Sequence, residues 1–168
     1  MNKIILSLIV LFVALARLIP HPPNFTPIIA MGLFGGAYFK NYKLALLIPI
    51  MGMLISDFFI GFHSMMLWIY APLVIVTFIG VWIKDKINTI NVISSILLGS
   101  ILFFIISNFG VWFIGGYEKN IQGIINCYIM AIPFFHNTLI GSFFYGAIMF
   151  GGYEAAKYIV KHNAPDSI

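Results

Sequence analysis

From Val92 to Ile114 the chain carries no charged side chain, and five more apolar stretches occupy most of what remains: about Ile4 to Ile19, Ile28 to Phe39, Leu44 to Phe62, Met65 to Ile83 and Ile132 to Val160. Most are close to the ~20 residues a helix needs to cross a bilayer. No water reaches the hydrocarbon, so every backbone N–H and C=O there must be satisfied internally, by helices or by a closed barrel. These runs lack the in-out alternation of barrel strands. The expected fold is therefore all-α: a polytopic membrane helix bundle of six transmembrane helices in one domain. With 61% hydrophobic and 8% charged residues, the chain has too little polar surface to cover a water-soluble globule.

The breaks between the runs carry an orientation signal. Lys3, Lys40, Lys43, Lys84, Lys86, Lys157 and Lys161, seven of the nine basic residues, fall at alternate boundaries, and only Arg17 and Lys119 fall at the others. Lysine and arginine collect on the cytoplasmic side of membrane helices. Both termini are expected in the cytoplasm, and the protein in the cytoplasmic membrane. The formal charge of +4 needs no nucleic-acid partner, because the basic residues flank membrane boundaries in pairs and form no stripe. The first span also resembles a signal peptide, with Ala14-Leu15-Ala16 as a cleavage site, but keeping it preserves the charge alternation without adjustment.

The second run is too short to span. Before it, Pro20-His21-Pro22-Pro23-Asn24-Phe25-Thr26-Pro27 places four prolines in eight positions and cannot form regular helix. Irregular backbone at membrane depth is tolerated only where protein buries it or a wet cavity receives it. Two readings follow: a plug over an outward-opening cavity, or a stiff external loop ahead of a short tilted helix. Gly32, Gly35 and Gly36, with Ala30 and Ala37, give the second run a small-residue face for close helix approach. Gly141, Gly146, Gly151 and Gly152 do the same in the last run. Pro49, Pro72 and Pro133 mark possible kinks. Gly115 to Met130 is too polar to cross, so an interfacial or re-entrant turn is expected there.

Intramembrane polar groups are costly and therefore informative. In the orientation above, Asp57, Asn108, His136, Asn137 and Thr138 lie in the outer parts of their spans, level with His21, Asn24 and Thr26 of the proline segment and with His63. The inner halves are almost wholly apolar. This one-sided distribution suits an outward-facing pocket and does not suit a continuous pore. A buried Asp57 carboxylate needs a partner such as His21, His63, His136 or a substrate donor. It is either a substrate contact or a structural anchor for the proline segment. Asn108 with Trp112 one turn later offers an amide beside an aromatic face, suited to a flat heterocycle, or else interhelical glue and an interface anchor. The candidate binding residues are Asn24, Thr26, Asp57, Asn108, Trp112, His136 and Asn137.

Enzyme chemistry is not expected. P-loop, HExxH and GxSxG patterns are missing, and no serine has a recognisable base. Cys127 is the single cysteine and the four histidines lack metal-ligand spacing, so no disulfide, metal or cofactor is expected.

The runs ARLIPHPPNFTPIIAMGLFGGAYF (Ala16 to Phe39), ISDFFIGFH (Ile55 to His63), SNFGVW (Ser107 to Trp112) and IPFFHNTLIGSFFYG (Ile132 to Gly146) resemble a family of uncharacterised small bacterial membrane proteins. That family is similar to the substrate-binding S components of energy-coupling factor (ECF) vitamin transporters in span number, size, charge topology, early proline-rich loop and glycine-rich second helix. The resemblance implies a six-helix subunit holding a vitamin or related small heterocycle near its outer face. It also implies partners, a coupling protein and two ATPases, on which the subunit topples to release substrate inward. S components carry alanines four apart in the first helix for that docking; here Ala14 and Ala16 stand instead. The competing expectation is a non-transporting structural subunit of a membrane complex.

Overall fold

The computed structural model describes residues 3–163, and every regular element among them is a helix. In chain order these are α1 (Lys3–Leu15), a 3-10 turn (Ala16–Leu18), α2 (Ile28–Tyr38), α3 (Tyr42–Ile60), α4 (Met66–Ile83), α5 (Thr89–Ile114) and α6 (Ile121–Gly146). A π-helical turn (Ala147–Gly151) then joins α6 to α7 (Gly152–Asn163). Four stretches are long and apolar enough to cross a membrane: α3, α4, α5 and the continuous helix Ile121–His162. This is a membrane helix bundle.

α2 occupies its centre. All residues from Ile28 to Ala37 are buried, with α1, α3, α4, α5 and α6 packed around them. Eleven residues rise only about 16 Å, so α2 reaches through about half of a ~30 Å hydrocarbon layer. A helix this enclosed needs neighbours that come close. A Cβ on Gly36 would collide with the Thr77 carbonyl of α4, and one on Gly80 would collide with the Leu33 carbonyl of α2. The glycines read from the sequence therefore have definite partners: Gly32 and Gly36 face α4, and Gly35 faces Ala45 and Pro49 of α3. α1 joins the core through Leu6, Val10, Val13 and Ala14, with Ala14 against Gly52 of α3.

Asparagines start three of the helices. Asn41 accepts from the Lys43 N–H, Asn88 from Asn91 and Asn120 from Gly123, each satisfying an otherwise orphaned amide. The cap at Asn120 corrects one expectation, because α6 begins at Ile121 and runs unbroken through the segment read as a re-entrant turn, where a start at Ile132 was expected. Its first turns are amphipathic. Gln122 and Asn126 bond to each other at 2.9 Å on the exposed side, while Gly123, Cys127 and Ala131 are buried. Polarity on one face had masked a helix that the other face supports. The continuous 42-residue stretch is about 63 Å long, so it protrudes beyond a bilayer. Pro49, Pro72 and Pro133 all lie inside helices.

The bundle has two unlike ends. One carries Lys40, Lys43, Lys84, Lys86, Lys157 and Lys161 and is called here the lysine end; the other, the plug end, carries the proline segment, Arg17 and Lys119.

Candidate functional site

The 3-10 turn at the end of α1 directs Arg17 inward, against α3. Its guanidinium donates to Asp57 Oδ1 at 2.6 Å and to Ser56 Oγ, while Tyr70 of α4 donates its hydroxyl to Asp57 Oδ2 at 2.6 Å. The Arg17 and Asp57 side chains are only 8% and 1% exposed, so both charges are removed from solvent and compensate each other. The partners expected for Asp57 are not the ones it has. His21 contacts the Pro22 carbonyl, and His63 and His136 are exposed. In the sequence Arg17 counts only as a boundary charge; the 3-10 turn, which no periodicity signals, makes it the counterion.

Beyond Arg17 the proline segment runs along the surface and reaches α6 at Phe25 and Thr26. The Phe25 N–H donates to the Pro22 carbonyl at 3.0 Å, closing a turn whose central residues are Pro23 and Asn24. Proline presets φ at the first of these positions, and Asn24, at φ 64°, tolerates the left-handed second. Asn24 is exposed and Thr26 half-buried. The backbone of Phe25 and Thr26 lies against Gly141, where an added Cβ would stand 3.0 Å from each. The Phe25 ring is held between Phe144 and Tyr145, with centroids 5.6 and 5.7 Å away. Asn137 donates its amide to the Pro23 carbonyl at 3.0 Å. The segment is thus pinned to α6 at Phe25 and Thr26, where the helical Gly141 makes room for its backbone, while Pro20, Pro22, Pro23 and Asn24 stay exposed.

The remaining candidates lie apart from the plug. Asn108 donates to the Phe104 carbonyl of its own helix at 2.8 Å, and its own carbonyl faces the Cys127 thiol. Trp112 donates its indole N–H to the Glu118 carbonyl. Lys119 donates to the carbonyls of Trp112, Phe113 and Gly115, a cation closing the C-terminus of α5. Asn137 therefore meets the segment that carries Asn24 and Thr26 through the Pro23 carbonyl, Asp57 is tied to Arg17 at the start of that segment, and Asn108 and Trp112 bond within and beside α5. Arg17, Tyr70, Phe25 and Gly141 were not among the candidates. The small-residue spacing of Gly141 is the signal that marks it as a point of close approach.

The sequence places the expected cavity among the seven candidates. A cleft of about 700 Å³ opens at the lysine end between α5, the π turn and α7, and none of the seven lines it. Among the described residues, no three His, Cys, Asp or Glu side chains come together as metal ligands.

Fold and site define a polytopic helical membrane protein with an extended proline segment anchored across one end. The chain belongs to a family of unknown function, DUF6580, whose model matches residues 1–164. No curated protein and no solved structure matches it.

Proposed function

We propose that this protein resides in the cytoplasmic membrane with both termini inside and binds a small flat heterocycle of the vitamin class from the outer side. In this reading it acts as an uptake subunit of the ECF S-component type. The observation that carries the reading is the seating of Phe25. Its ring packs against Phe144 and Tyr145, its backbone lies on Gly141, and the Asn137 amide holds the Pro23 carbonyl two residues earlier. A planar ligand ring has the same shape requirements as the phenyl group it would displace. When the plug lifts, Asn137 is released to hydrogen-bond the ligand, and Asn24 and Thr26 move with the lid. Arg17 and Asp57 then act as the hinge anchor, keeping the root of the plug in place.

The charges support the orientation. Both basic residues at the plug end are already engaged, Arg17 by Asp57 and Lys119 by helix carbonyls, so neither weighs fully against the bias of the lysine end.

Mass spectrometry of small molecules released from gently purified protein tests the proposal. A heterocycle should be recovered, Asn137→Ala should weaken its binding roughly tenfold, as loss of one well-made hydrogen bond does, and Phe25→Ala should tighten it by emptying the space beside Phe144 and Tyr145. Recovery of no ligand, together with no response to either substitution, would refute it. Co-purification with a coupling protein and ATPases tests the energy source. A second reading, a structural subunit of a membrane complex, is favoured by the internal satisfaction of Asp57 and by exposed Tyr158, Ile159 and Val160 on α7. Stable association with membrane proteins other than ATPase modules, without ligand, would select it.

A further inference from the structure

The cleft at the lysine end belongs to no part of the plug site. Its volume of about 700 Å³ falls in the range of about 300–1,000 Å³ typical of small-molecule sites. Tyr38 closes it from α2, Asn88 and Thr89 border it from α5, and Glu154 and Lys157 border it from α7. Deeper in, its walls are Val92, Ile96, Phe143 and Phe150. Polar groups thus gather at the end nearest the membrane boundary, and apolar groups continue toward the centre. From Asn88 to Ile96 the wall runs about 12 Å along α5, close to the ~15 Å depth of one leaflet's hydrocarbon. On α5, Ile90, Ile93 and Leu97 are exposed beside the cleft, so its mouth opens onto the lipid-facing surface. The π turn, a local widening that recurs at functional sites, supplies Ala147, Phe150 and Gly151 to the lining.

We propose that this cleft binds a glycerophospholipid with a phosphoethanolamine head, one acyl chain lying along the apolar wall. The charges at the rim select the head. Glu154 and Lys157 stand 3.2 Å apart with side chains 47% and 61% exposed, and Glu154 also accepts the Tyr38 hydroxyl at 2.8 Å. An exposed pair of this kind holds weakly and exchanges partners readily. A lipid phosphate takes Lys157, and the primary ammonium takes Glu154 with N–H donors. A choline head has no N–H to give Glu154, and a purely anionic head meets that carboxylate with like charge. A second groove, about 330 Å³ between α1 and the π turn, has apolar walls with neither acid nor base and offers nothing for a head.

Native mass spectrometry of the delipidated full chain, titrated with chain-matched dioleoyl phosphatidylethanolamine, phosphatidylcholine and phosphatidylglycerol, tests the assignment. The ethanolamine lipid should bind roughly tenfold more tightly than the choline lipid, the effect of charge-assisted hydrogen bonds to one carboxylate. Glu154→Gln, which keeps an acceptor for Tyr38, should erase that preference. Ala147→Trp, at an exposed position on the lining, should remove the tight adduct while the fold remains intact by thiol-dye melting at Cys127. Equal binding of all three lipids, unchanged by Ala147→Trp, would overturn the proposal, as would a preference for phosphatidylglycerol.

Discussion

Removing one partner of the buried Arg17–Asp57 pair should destabilise the bundle far more than removing both. With oxygen and nitrogen 2.6 Å apart, the attraction at an effective dielectric constant of 20 is about 6 kcal/mol, and desolvation of the two ions offsets most of it. The intact pair therefore contributes little net stability. Asp57→Asn preserves an acceptor for the Tyr70 hydroxyl but leaves the guanidinium buried without a counterion, and Arg17→Met leaves the carboxylate in the same state. Each single change should cost about 3–5 kcal/mol. At 2–4 °C per kcal/mol for a chain of this size, the melting midpoint should fall by roughly 6–20 °C. The double variant Arg17→Met with Asp57→Leu removes both charges and should recover at least half of the loss. The assay is built into the chain: Cys127 is its single thiol and is only 2% exposed, so a thiol-reactive dye reports unfolding in detergent. Single variants melting within about 2 °C of the unaltered protein, or a double variant showing the summed losses of the singles, would refute the pairing argument.

Other substitutions test the packing and the caps with the same dye. Gly36→Ala drives a Cβ into the Thr77 carbonyl and should cost about 3 kcal/mol, the upper range for overpacking, whereas Gly151→Ala meets nothing within 4 Å and should stabilise by about 0.5–1 kcal/mol. Lys119→Met withdraws the cation from the α5 C-terminus and should cost about 1 kcal/mol, visible as a lower midpoint at low salt and a smaller difference at high salt. The Ser100 hydroxyl is buried without a hydrogen-bond partner, so Ser100→Ala should raise the midpoint, corresponding to about 1 kcal/mol. A lower midpoint for that variant would show that the hydroxyl is bonded after all.

Much of the architecture was legible in the runs of apolar residues, because a bilayer leaves the backbone few options. The short second helix, its glycine face and the irregular proline segment were all readable, since proline and glycine act through local sterics. The start of α6 was not. Gln122 and Asn126 interrupt the hydropathy of one face, and only the burial of Gly123, Cys127 and Ala131 against the bundle restores a helix there. The candidate site divided similarly. The polarity of Asn137 pointed to a residue that does contact the proline segment, though at the Pro23 carbonyl and not at Asn24 or Thr26. Asp57 was recognised as needing a partner, but the partner was an arginine separated from it by 40 positions in the chain.

By its composition and its alternation of lysines, the sequence determined that this protein is a bundle of membrane helices with two chemically different ends, because the solvent acts on each segment independently of the others. Only the tertiary structure decided that the proline segment seats its backbone on Gly141, that Arg17 neutralises Asp57, and that a cleft of about 700 Å³ opens at the lysine end. Those features depend on which helix faces meet, and contacts between distant segments leave no periodicity in the chain that makes them.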